Sequence, residues 1–168
     1  MPYFLRAISN NTKWDKTQFP TWLSTDDLPS CIVRDLRVDD NALSLWEIPD
    51  EETNLPQIIT AIASTRKSLK SDFDYALLNT SYIDQINFTS SSEVGETPYS
   101  EINSYHRNLS NLSINKLVYF AHLLCKFGIF RRMGWKEKKT LLLDAVKNKN
   151  LNLKIVPGEL KQQLGIST

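Results

Sequence analysis

Cysteine is nearly missing from this chain: 168 residues contain two, Cys31 and Cys125. Two thiols in unlike contexts do not make a disulfide scaffold, and they read as free, buried thiols of a reducing compartment. Long apolar runs are missing as well. The longest, Leu117 to Cys125, contains His122 and falls short of the ~20 residues that a membrane-spanning helix needs. The first residues, MPYFLRAISNN, have no basic stretch leading into an apolar one and no small-residue cleavage site. They do not read as a signal peptide, so a cytoplasmic protein with no membrane partner is expected. Glycine is scarce: five residues stand singly, and none precedes Lys-Ser or Lys-Thr in a phosphate-loop pattern. Paired CxxC motifs and a serine nucleophile elbow are absent. The two histidines, His106 and His122, have no Cys or carboxylate at zinc-ligand spacing beside them. No cofactor and no metal are therefore expected.

What is present describes an ordinary globular chain. With 41% hydrophobic and 23% charged residues it is long enough to bury a core without staples. The strongest element is SINKLVYFAHLLCKFG, Ser113 to Gly128. Ser113 suits an N-cap, and Gly128 suits the left-handed residue that ends many helices. Between them Asn115, Tyr119, His122 and Lys126 step along one narrow polar line, and nearly everything else is apolar. A helix so apolar around its circumference reads as buried.

Upstream, Tyr3, Leu5 and Ala7 alternate against Phe4, Arg6 and Ile8, a strand pattern. Ala42, Ser44, Trp46 and Ile48 alternate likewise against Leu43, Leu45 and Glu47. A helix follows, with Asn54 as N-cap and Pro56 in its first turn, and with Arg66, Lys67 and Lys70 at its C-terminal end. Asp74 to Asn79 is then a strand. If the two strands flanking this helix are parallel neighbours, their crossover is right-handed. The expected fold class is α+β: a small sheet with this strand–helix–strand unit, packed against a helical C-terminal part centred on a buried helix 114–127. The polar run after Thr89 divides the chain into an acidic α/β part (1–89), a connector (90–97) and a basic, mainly helical part (98–168), unless the whole is one domain. Thr97 and Pro98 are expected to start a helix carrying Tyr99, Ile102, Tyr105, His106 and Leu109. A further helix over Trp135–Lys147 directs Trp135, Leu142, Ala145 and Val146 inward. Leu151 to Val156 alternates as a last strand, and a short helix from Glu159 to Leu164 is closed by Gly165.

The net charge of +1 conceals a division. Residues 1–112 hold nine Lys/Arg against sixteen Asp/Glu, and residues 113–168 hold eleven against three. The basic run Arg131, Arg132, Lys136, Lys138, Lys139 and Lys147, with Phe130 and Trp135 interleaved, has the composition of a contact for nucleic acid or an anionic partner. Asp39, Asp40, Glu47, Asp50, Glu51 and Glu52 form an acidic face suited to docking a basic partner. Cys125 lies one helical step from His122, yet a thiol on an apolar face is more often inert packing.

No catalytic constellation emerges, and no catalytic residue is assigned. The expectation is a non-enzymatic intracellular interaction protein, a subunit of a larger assembly or a partner-neutralising protein, whose basic end also suits nucleic acid. The rival is a metal-dependent nuclease using Asp39, Asp40 and Glu47, or a nonspecific nucleic-acid binder. An exposed apolar patch, rather than a continuous positive groove or converging carboxylates, favours a protein partner.

Overall fold

The structure, a computed structural model, describes residues 2–14, 30–38, 42–49, 51–84, 89–91 and 95–166, with residues 31, 51, 52, 84 and 89–91 followed by their backbone alone. The fold is α+β. Six strands are described: β1 (Tyr3–Ile8), β2 (Leu43–Ile48), β3 (Phe73–Asn79), β4 (Thr89–Ser91), β5 (His106–Ser110) and β6 (Ile129–Met133). They form one antiparallel sheet in the order β4-β5-β2-β1-β3-β6. The helices are α1 (Ser30–Asp35), α2 (Glu51–Ser64), α3 (Thr80–Asp84), α4 (Ile114–Phe127), α5 (Trp135–Lys147) and α6 (Gly158–Leu164), with 3-10 turns at Asn11–Trp14 and Ser100–Tyr105.

The sheet is apolar on both faces because its central strands alternate two kinds of buried residue. Leu5, Trp46, Ile48, Phe73, Tyr75 and Leu77 point to one face, where α2, α5 and α6 add Ile58, Ile59, Leu142, Leu160 and Leu164. Phe4, Ile8, Leu43, Leu45, Ala76 and Leu78 point to the other, against Ile32 and Leu36 of α1 and Phe120, Leu123 and Leu124 of α4. Helices therefore cover both faces, and β3 is buried along nearly its whole length.

The strand–helix–strand unit β2–α2–β3 is present, but its strands are not neighbours. β1 lies between them and pairs antiparallel with each, through Leu5 opposite Trp46 on one side and Leu77 on the other. The helix α2 starts at Glu51, ahead of Asn54, so Pro56 stands inside it rather than in its first turn. It stops at Ser64, short of Arg66 and Lys70.

Three expectations for the C-terminal part are corrected. Thr97 caps no α-helix. Its hydroxyl and amide both donate to Asn103 Oδ1, at 2.7 and 3.1 Å, and this buried side-chain bonding shapes a 3-10 turn that runs into β5. Leu151–Val156 is a turn rather than a strand; Leu151 and Val156 are buried, and Asn152 N–H donates to Pro98 O. Gly128 ends α4 at φ −68°, ψ 145°, which is extended rather than left-handed. Glycine is required there by close approach, since a Cβ would collide with the Leu124 carbonyl oxygen. By contrast Gly165 closes α6 as expected, and at φ 73° it does so in the left-handed region.

Candidate functional site

The helix α4 is built as its residues demand. The Ser113 hydroxyl accepts from Lys116 N–H at 3.3 Å and caps it, and Phe120, Ala121, Leu123, Leu124 and Cys125 bury one side. The opposite side is not covered as its apolar composition predicts. Ile114 is 78% exposed and Tyr119 47%, and on neighbouring α1 Val33 is 53% exposed. Two hollows flank this side. One, of about 240 Å³, is lined wholly by apolar side chains: Val33, Leu36, Ile114, Leu117 and Val118. The other, of about 540 Å³, is lined by Ile114, Asn115, Val118, Tyr119 and His122. Ile114 and Val118 line both, so they form the ridge between them.

The electrostatics of this face follow from the same residues. Burial holds the His122 imidazole below the ordinary histidine pKa, so it is neutral at pH 7. The helix carries Lys116 and the exposed Lys126 and not one carboxylate. On α1, Asp35 adds no surface charge, because it is buried and accepts from Ser9 N–H at 3.0 Å and Trp14 Nε1–H at 2.9 Å. The face is apolar with a cationic rim.

Comparison with protein-family models, curated proteins and solved structures yields no match to this chain.

The basic run does not stay together. Lys136, Lys139 and Lys147 line the outer side of α5 with Leu143, and Trp135 is 37% exposed rather than turned inward. Lys138 is not on the surface at all. It is 1% exposed, lies on the inward line of Leu142 and Ala145, and donates through Nζ to Ser71 O. Burial first, then the charge of Arg66, holds its pKa below the ordinary lysine value. Arg131 and Arg132 lie on β6, an edge strand. Arg132 stands opposite Asp74 of β3 and clasps it with two bonds, Nε to Oδ1 at 2.7 Å and Nη2 to Oδ2 at 2.8 Å. The α5 lysines and the α4 face are on opposite sides of the sheet.

Of the acidic face, Glu47 bonds to Arg107 of β5 at 2.6 Å. Asp39, Asp40 and Asp50 lie outside the described residues, as do the side chains of Glu51, Glu52 and Cys31. Among the described residues no group of three His, Cys, Asp or Glu is arranged to hold a metal ion. His106 shares a 2.7 Å hydrogen bond between its Nε2 and Ser44 Oγ and packs edge-on against Trp46, whereas His122 is on α4. The Cys125 side chain is buried. No described helix is long and apolar enough to cross a membrane. Reading the sequence missed the α1–α4 face, although Ile114 and Val118 beside the polar line were the signal for it: the stripe carrying Asn115 and Tyr119 faces water, and its apolar neighbours go with it.

Proposed function

We propose that this protein is a non-enzymatic interaction protein that binds a partner protein through the α1–α4 face. The occupant is an apolar segment flanked by acidic residues. The observation that carries the reading is the ridge of Ile114 and Val118 between two hollows, with Ile114 78% exposed. A side chain of that size left in water between two hollows is the usual mark of a recognition site. The acidic flanks follow from the rim, where Lys126 is exposed on a helix that carries no carboxylate. A neutral His122 adds no charge that burial would have to overcome.

The test places a photoreactive phenylalanine analogue at Tyr119 and crosslinks in the native cells. The expected product joins one protein through an acid-flanked apolar segment. Ile114→Glu abolishes it, and Thr140→Glu on the outer side of α5 leaves it intact. A crosslink to a second copy of this chain, or one indifferent to Ile114→Glu, refutes the reading. Nucleic-acid binding lost on Lys136→Ala with Lys139→Ala would move the function to the α5 lysines and overturn it equally.

A further inference from the structure

At the end of the sheet where β1 finishes and β3 begins, a cleft of about 380 Å³ is lined by Arg6, Arg34, Asp35, Arg66, Ser71 and Asp72, among others. Its charges do not balance. Asp35 is buried with both oxygens occupied, one by Ser9 N–H and one by the Trp14 indole. Asp72 is shared with α5, accepting from Trp135 N–H at 3.0 Å and lying 4.0 Å from Arg132 Nε. Against these stand three guanidinium groups. Arg6 is spent internally, donating to the backbone carbonyls of Asp35 and Ser44 at 2.6–2.9 Å. Arg34 is exposed and donates to Ser9 Oγ at 2.7 Å.

Arg66 is the unusual one. Its Cζ sits 4.7 Å from the centroid of the Phe73 ring, and the side chain is half-buried. Among the described residues no group accepts a hydrogen bond from its guanidinium or forms an ion pair with it; its backbone N–H donates to Ala63 O. Loss of water lowers its pKa with no carboxylate raising it. Lys138, buried behind Ser71, is near enough to repel it. A desolvated guanidinium beside a second buried cation is an unfavourable arrangement that an anion would relieve.

We propose that this cleft binds the phosphoryl group of a small phosphorylated ligand, held by Arg66 and Arg34. Guanidinium forks match phosphate oxygens two at a time, and three arginines against two aspartates, with Lys138 behind Ser71, suit a dianion over a carboxylate. The cleft is larger than one phosphate, which leaves room for part of the group it esterifies.

The full chain is titrated with inorganic phosphate, phenyl phosphate and acetate at constant ionic strength in chloride, following backbone and arginine side-chain resonances by NMR. Saturable shifts at Ser9, Arg34, Arg66 and Ser71 are expected, with phenyl phosphate at least tenfold tighter than acetate. Arg66→Met keeps an apolar stem over Phe73 and should weaken phenyl phosphate tenfold or more. Arg34→Gln, at an exposed position, should weaken it several-fold. Lys154→Gln, elsewhere on the surface, should leave it unchanged. Acetate binding as tightly as the phosphates, shifts that never saturate, or an unaffected Arg34→Gln would each overturn the proposal. So would equal losses in Arg34→Gln and Lys154→Gln, which would mean diffuse charge rather than a site.

Discussion

Replacing Asp74 tests whether the basic end of this chain spends its charge inside the molecule. Asp74 is 4% exposed and accepts three hydrogen bonds: from Arg132 Nε and Nη2, at 2.7 and 2.8 Å, and from Asn11 N–H at 2.8 Å. Hydrogen bonds to a charged group contribute about 1.5–3 kcal/mol each, and less together than their sum. Asp74→Ala removes all three, but Arg132 reaches water and rehydrates. The net loss should be about 3 kcal/mol, which in a chain of this size is a fall in Tm of roughly 6–12 °C. Asp74→Asn keeps the shape and loses the charge, so it should fall between the two.

Acid titration gives the second half of that test. Hydrogen bonds from Arg132 hold the Asp74 pKa below the ordinary carboxylate value against the opposing effect of burial, and Asn11 N–H assists. A carboxylate depressed in the folded state stabilises the fold fully above its unfolded pKa of about 3.9. That contribution is lost as the pH falls through the folded value. Urea midpoints of wild type and Asp74→Asn should therefore differ at pH 7 and converge in acid. Equal midpoints at pH 7, or a gap that persists in strong acid, would refute an internally neutralised Arg132 and return that residue to the pool available to an outside anion.

Lys138→Met should be at least as stable as wild type in phosphate-free buffer at pH 7, because it replaces a buried, desolvated ammonium with an apolar side chain of similar length. The depressed lysine pKa makes the wild-type penalty fade as the pH rises through it, so the advantage in urea midpoint should shrink in alkali; a clear loss of stability at pH 7 would show that the bond to Ser71 O outweighs burial. Gly128→Ala meets the Leu124 carbonyl oxygen, a backbone atom that cannot move aside alone, and should lose about 1–3 kcal/mol in chemical denaturation. No loss would show that the chain after α4 shifts freely.

By itself the sequence determined the elements whose periodicity is local. The two long C-terminal helices, the Ser113 cap, and the alternation in β1 and β2 all follow from side chains within a few positions of one another. The α5 bounds, Trp135–Lys147, are those the pattern implies. Within that helix even Lys138 was legible, since it falls four before Leu142 and seven before Ala145; a lysine among other lysines hid the spacing.

Tertiary structure decided what depends on distant partners. His106–Ser110 and Ile129–Met133 are too short and too polar to announce themselves, and they become strands only because β2 and β3 offer open hydrogen-bonding edges. β1 enters between β2 and β3 because its two apolar faces are buried only in the middle of a sheet. Arg34 and Arg66 come to one cleft from α1 and the loop after α2, and Asp74 meets Arg132 across 58 positions. Charge counted along a chain says nothing of such pairings, because Coulomb attraction and desolvation act through space, at distances that only the fold sets.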